Sequence, residues 1–183
     1  MKKQIKIHIG EVSASKEPAI IKTLLGSCVS VCLFDRTNRI GGMNHILLPG
    51  KADMKNYNES ARYGINAMEL LVNKVIKLGG KKTEFTAKVF GGGHIIGDIS
   101  FENSPGPKNV AFVMDFLKIE KIPVLSQNTG GNFTRLIYCH TDSSEVYMKR
   151  IYSSINPKVA IDEQNYIGKL NAELSKPTDI TFF

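Results

Sequence analysis

The chain has 183 residues, 42% hydrophobic and 22% charged, and a formal net charge of +7. That length suits one domain with a sizeable core, and the composition excludes a mainly disordered chain. No run approaches the roughly 20 apolar residues of a membrane span, and Met1-Lys2-Lys3 leads into Gln4, Lys6 and His8 instead of an export signal, so a cytoplasmic protein without membrane insertion is expected.

In chain order, residues 4–9 read as a half-buried strand, with Ile5, Ile7 and Ile9 alternating with Lys6 and His8. An apolar stretch at 20–25 runs into Gly26-Ser27-Cys28, and a strand at 29–35 follows at once. Arg36-Thr37-Asn38-Arg39 is polar enough for a hairpin loop, with 40–48 as the returning strand before Pro49-Gly50. Helical spacing of Ala61, Ile65, Met68, Leu71, Val72, Val75 and Ile76 predicts a helix over 58–78, stopped by Gly79-Gly80. A strand at 86–90 leads into Gly91-Gly92-Gly93, a second helix covers 109–120, and strands at 124–126, 135–140 and 146–151 complete a domain over 1–152.

Residues 153–183 lose clear periodicity apart from a short helical stretch at 166–174, and read as a C-terminal extension, partly disordered or partner-binding. Lys158, Lys169 and Lys176 there stand against Asp162, Glu163, Glu173 and Asp179, a balance of −1 that leaves +8 on residues 1–152. A basic surface attracts acidic proteins, nucleic acid or membranes, yet scattered lysines serve plain solubility equally well. Nucleic-acid binding would rest on charge alone, with no recognition motif behind it, and is not expected.

Cys28, Cys32 and Cys139 are an odd number with no repeated pair spacing, which argues against a disulfide scaffold and a four-ligand zinc site. His8, His94 and His140 have no cysteine or carboxylate at ligand spacing, so neither metal nor cofactor is called for. Gly91-Gly92-Gly93 lacks the spacing and the Lys-Ser/Thr of a phosphate loop and reads as a turn. Free cysteines are by default small buried hydrophobes, the reading given to Cys139.

The hairpin gives Cys28 another prospect. With the loop centred on Thr37-Asn38, Ser30 faces His45 and Cys28 faces Leu47, so Cys28, Ser30, Cys32, Met43, His45 and Leu47 share a side. Cys28 and His45 are then diagonal neighbours, roughly 7–8 Å apart at the backbone and within reach of an imidazole. A thiolate beside an imidazolium is a nucleophile at neutral pH, and the imidazole can protonate a departing amine. Register alone leaves Cys32 as a rival on the other diagonal. Position separates them: Cys32 lies mid-strand between Val31 and Leu33, whereas the turn at Gly26-Ser27 can expose the Cys28 sulfur and leave backbone N–H groups as an oxyanion hole.

Residues Thr23-Leu24-Leu25-Gly26-Ser27-Cys28-Val29-Ser30-Val31-Cys32-Leu33-Phe34-Asp35, with Gly42-Met43-Asn44-His45-Ile46-Leu47-Leu48-Pro49, resemble the CheD family of chemoreceptor glutamine deamidases. Ala61-Arg62-Tyr63-Gly64, Val89-Phe90-Gly91-Gly92-Gly93, Gly106 with Lys108-Asn109-Val110, and Thr129-Gly130-Gly131 with Arg135 extend the resemblance from about residue 5 to Ile151. Gln127-Asn128 stands where the family often has an acidic residue, and Lys108 where an arginine is usual.

The resemblance implies an α/β fold, a sandwich of mixed sheets flanked by helices, similar to the toxins that deamidate host GTPases. It implies conversion of glutamines on the cytoplasmic helices of chemoreceptors to glutamate, by Cys28 attack with His45 moving protons and Thr23 orienting it. Hydrolysis of receptor methyl esters and docking to a CheC-type phosphatase are also allowed, the latter as an alternative in which the chain is mainly a regulatory binding module. Thr129 and Gly130 are read as a turn bordering the site, and Arg135 as a contact to substrate or partner or an ordinary surface ion pair.

Overall fold

Strand β4 (Val29–Asp35) is buried along its whole length, and its alternation divides it between two cores. Val29, Val31 and Leu33 pack with Met68, Leu71 and Val75 of α1 (Glu59–Lys77) and with Phe112, Val113, Phe116 and Leu117 of α2 (Pro105–Ile119). On its other face Cys32 and Phe34, with Cys28 just before the strand, meet Ile21 and Leu25 of β3 (Ala19–Leu25) and Ile137 and Cys139 of β8 (Thr134–His140). A strand buried on both faces must be apolar throughout, as this one nearly is. The layers are therefore helices, a sheet, and a second sheet.

These features come from a computed structural model, which describes residues 2–95, 104–151 and 157–174. The remaining strands are β1 (Lys3–Lys6), β2 (Val12–Ser15), β5 (Ile40–Asn44), β6 (Phe85–Gly91), β7 (Val124–Thr129) and β9 (Val146–Ile151), and the last helix is α3 (Pro157–Leu174). One sheet runs β1-β3-β8-β9 and the other β2-β5-β4-β6-β7. Both are mixed, since β1 lies parallel to β3 and β6 parallel to β7 while the other pairs are antiparallel. The fold is α/β, a sandwich of mixed sheets flanked by helices.

The β4–β5 hairpin has the register expected of it, with Asp35 opposite Ile40, Cys32 opposite Met43 and, further along, Val29 opposite Ile46. The returning strand stops at Asn44 and not at residue 48. There the side-chain Oδ1 of Asn44 accepts from the Val31 N–H at 2.9 Å, and the His45 backbone exchanges bonds with Gly10 and Glu11. The same exchange ends β1 at Lys6, short of the expected residue 9, because the chain crosses from one sheet to the other between Ile7 and Glu11. Strand β2 was not expected, since Val-Ser-Ala-Ser has little apolar alternation.

Helix α1 starts where Asn58 accepts from the Ala61 N–H. Helix α2 begins four residues before the expected 109, with a proline in its first turn. Helix α3 begins at Pro157, nine residues before the short helical stretch seen in the sequence. Val159, Glu163 and Leu170 of α3 are buried, and Tyr166 and Ile167 half-buried. The other residues of the extension, 153–156 and 175–183, lie outside the described residues, as does the disorder expected there.

Candidate active site

Between β3 and β4 the chain passes from one sheet to the other through Gly26, Ser27 and Cys28, and every carbonyl of this turn is held from behind. The Gly93 N–H donates to the Gly26 carbonyl at 2.8 Å, Asn109 Nδ2 to that of Ser27 at 3.0 Å, and the Gly92 N–H to that of Cys28 at 2.7 Å. Gly91 makes this approach possible: its φ is +116°, and a Cβ there would stand 2.1 Å from the Cys28 carbonyl oxygen. With the carbonyls fixed, the Ser27 and Cys28 N–H groups converge on one point. That point is occupied by Oε1 of Glu163, at 2.9 and 3.2 Å.

The Cys28 thiol donates to the same oxygen at 3.0 Å, and the Ser27 hydroxyl donates to Oε2 at 2.6 Å. Cys28 is therefore fully buried, which corrects the expectation that the turn exposes its sulfur: α3 covers it. Burial, then the Glu163 charge and its hydrogen bond, push the Cys28 thiol well above its ordinary pKa.

His45 and Cys28 flank the Val29–Ile46 bridge on the side facing the second sheet. His45 Nδ1 lies 2.7 Å from the Thr23 hydroxyl oxygen, and that hydroxyl also reaches the Ile7 carbonyl at 2.9 Å. A carbonyl only accepts, so the single hydroxyl proton points to Ile7 and Nδ1 carries the proton donated to Thr23. Nε2 is then the basic nitrogen, and it is buried without a hydrogen-bond partner. Burial, with a smaller contribution from His8, lowers the His45 pKa to about 3. Thiol and imidazole both rest uncharged under α3.

Of the residues singled out in the sequence, Cys28, His45, Thr23, Ser27 and Gly26 come together at this end of the sandwich. Gly26 has no room for a side chain, since a Cβ would stand 2.8 Å from Glu163 Oε1 and 2.9 Å from Val159 Cγ1. Thr129, Gly130 and Arg135 sit one layer back. Gly130 donates to the Gly91 carbonyl at 3.0 Å, while Arg135 donates to the Gly130 carbonyl and, at 2.9 Å, to Asn128 Oδ1, its guanidinium lying 4.2 Å from the Phe133 ring centre. A surface ion pair for Arg135 is ruled out, because the side chain is buried among carbonyl and amide acceptors. Its pKa falls to about 10 through burial and then the nearby Arg150. Cys32 is buried mid-strand beside Cys139, whose thiol burial also raises.

Three contributors escaped sequence reasoning. Asn109 ties the turn to the other side of the site by accepting from the Leu48 N–H at 2.9 Å while donating to Ser27. Tyr166 of α3 meets the Tyr63 hydroxyl at 2.5 Å and lies over Gly10, where a Cβ would collide with its hydroxyl oxygen. Glu163 is the third, and its signal was present: it sits on the apolar stripe formed by Val159, Tyr166, Ile167 and Leu170. A groove of about 590 Å³ remains beside α3, bordered by Thr23, Leu24 and His45 on one wall and Asp162, Tyr166 and Lys169 on the other.

Fold and site together define an α/β sandwich protein with a thiol, an imidazole and two convergent backbone amides buried at one end. Residues 47–150 match the family described as CheD chemotactic sensory transduction, and the chain belongs to that family. It is 39% identical to "Probable chemoreceptor glutamine deamidase CheD 1" of Dechloromonas aromatica, over 91% of this chain and 82% of that one. It is 41% identical to the protein of the same name from Shewanella oneidensis, over 88% and 79%. With "Probable chemoreceptor glutamine deamidase CheD 2" of Chromobacterium violaceum the identity is 37%, over 98% and 89%. Among solved structures, Neisseria meningitidis protein NMB0706 is a distant likeness, with a TM-score of 0.42 and 13% identity over 70% of this chain and 63% of that one.

Proposed function

We propose that this chain is a protein-glutamine deamidase that converts glutamines on chemoreceptors to glutamate, with Cys28 as nucleophile, His45 as proton carrier and Thr23 as the residue that orients His45. The observation that carries this is the convergence of the Ser27 and Cys28 N–H groups on one oxygen within reach of the Cys28 sulfur. A carboxamide carbonyl at that point meets two donors already aimed at the charge its oxygen acquires on attack.

Transfer of the thiol proton to His45 Nε2 leaves a thiolate, which bonds to the carboxamide carbon. The negative charge moves to the carbonyl oxygen between the two amides. His45 returns the proton to the nitrogen, ammonia leaves, and a thioester remains. Water, losing a proton to His45, then attacks the thioester and frees glutamate and the Cys28 thiol. A glutamate methyl ester attacked in the same way releases methanol. Thr23 holds the imidazole with Nε2 as the basic atom throughout.

Intact-mass measurement of a receptor cytoplasmic fragment tests this, since each deamidated glutamine gains about one mass unit when NH₂ becomes OH. Wild-type protein is expected to produce the gain, and Cys28→Ala to lower the rate by about 10⁴-fold or more. An undiminished gain with Cys28→Ala would exclude the mechanism.

A further inference from the structure

Glu163 is the only buried acid of α3, as Asp162 and Glu173 are exposed. It stands where helical spacing from Val159 to Ile167 calls for an apolar residue. Its two oxygens receive four hydrogen bonds, all from Ser27 and Cys28. Among the described residues no cation stands within ion-pair distance of it, unlike Asp142 and Glu120, which pair with Lys2 and Lys82. A carboxylate used only to anchor a helix gains little over a well-packed apolar side chain in such a place. A carboxylate received by a thiol, a hydroxyl and two convergent amides is instead a ligand in a binding site.

A catalytic part for Glu163 conflicts with the same geometry. It fills both amides, leaving no donor for a substrate carbonyl, and its charge beside the sulfur opposes formation of the thiolate. Glu163 and a reacting carboxamide exclude each other. The helix is also held lightly: Val159 and Leu170 are buried and Tyr166 and Ile167 only half-buried, and a groove of about 590 Å³ separates part of it from β3 and His45.

We infer that α3 is a displaceable mimic of the substrate within the chain, its Glu163 carboxylate standing where the side chain of a reacting glutamine binds, so that the site works when a glutamine-bearing helix takes the place of α3. This rests on the deamidase reading for the word substrate, though not for the covering of Cys28. The substrate class follows from what α3 places in the site. It is an α-helix with a glutamine on its docking face, an aliphatic residue four positions before it, and aromatic or aliphatic residues three, four and seven positions after it, matching Val159, Tyr166, Ile167 and Leu170 around Glu163. A product glutamate left on such a helix would bind as Glu163 does.

The covering is read by the rate at which iodoacetamide alkylates Cys28 in the native full-length protein, resolved from Cys32 and Cys139 by peptide mass mapping. Glu163→Ala removes the ligand, and Leu170→Asp undocks the helix while keeping Glu163. Both are expected to speed Cys28 alkylation at least about tenfold with Cys32 and Cys139 unchanged. No acceleration in either variant, or an equal rise at all three cysteines, would overturn the inference.

The mimicry is read with a peptide of residues 157–174 carrying Gln in place of Glu163. It is expected to be deamidated by the Glu163→Ala protein with a KM several-fold below that of wild type and a similar kcat. If wild type deamidates the receptor fragment and the Glu163→Ala protein leaves the peptide untouched, the mimicry fails and the deamidase reading stands. If Cys28 is unmasked but neither receptor nor peptide is deamidated, the deamidase reading fails and the covering stands.

Discussion

Two segments meet at the Cys28 sulfur, and they are held in opposite ways. The turn at residues 26–28 is fixed through its own backbone: its three carbonyls accept from the Gly93 and Gly92 N–H groups and the Asn109 side-chain amide, and behind these stand the Gly130 N–H and the buried Arg135. Helix α3 is fixed by side chains: a short apolar stripe, the Tyr166–Tyr63 contact and one carboxylate. Losing a backbone bond inside a packed layer deforms the layer, whereas a helix resting on one stripe can leave as a unit. The difference separates the part of the site that must stay the same in every turnover from the part that must move before turnover begins.

Gly91→Ala attacks the fixed half. At φ +116° and with its Cβ driven against the Cys28 carbonyl, alanine is expected to lower unfolding stability by about 2–4 kcal/mol in urea titrations. It should also pull the Ser27 and Cys28 amides out of line, so that deamidation falls although α3 is intact. Stability and rate like those of wild type would show that the turn does not depend on its glycine backing.

Thr23→Val has a smaller effect. It keeps the shape but leaves His45 Nδ1 and the Ile7 carbonyl without their partner. A kcat lower by about 10- to 100-fold is expected, with recovery in Thr23→Ser, as for lost groups that orient a working histidine. Cys28 alkylation should stay slow, since nothing that docks α3 has changed. A faster alkylation would mean that turn and helix are coupled through Thr23.

The parts of the fold that were legible in the sequence are those in which local pattern and tertiary role agree. The β4–β5 register followed from a polar four-residue loop and period-two alternation, and α1 from its stripe and Gly79-Gly80. Together they placed Cys28 and His45 on one side. Strand β2 was missed because Val12-Ser13-Ala14-Ser15 gains its partner β5 only through the crossover after Ile7. Most of α3 was missed for a sharper reason: its stripe is broken at Glu163, where the helix gives up an apolar contact to reach the turn. Thr23 entered only through family resemblance, as no sequence spacing shows that β3 brings its hydroxyl to an imidazole just past the end of β5. Asn109 and Glu163 act on Ser27 from 82 and 136 residues away; the interrupted stripe marks Glu163 as out of place, but no local pattern shows the partner that either side chain reaches.

The finest-grained effect, read as a slope per pH unit, tests how completely α3 is closed in solution. His45 has a folded pKa of about 3 against an ordinary 6.5, so between those values the unfolded chain binds a proton that the folded chain refuses. Stability then falls as pH drops from about 6.5 toward 3, by at most about 1.4 kcal/mol per pH unit from this group, and levels off below. Urea titrations at intervals across that range should show the slope in wild type and its loss in His45→Gln. Burial is the main cause of the shift, and α3 forms one wall of the groove beside His45. Leu170→Asp should therefore admit water, raise the folded pKa toward 6.5 and flatten the acid limb while leaving the neutral-pH fold in place. A wild-type curve already flat from pH 6.5 to 4 would mean that α3 stands away from the site for most of the time, and that the lightly held half of the comparison is held more lightly still.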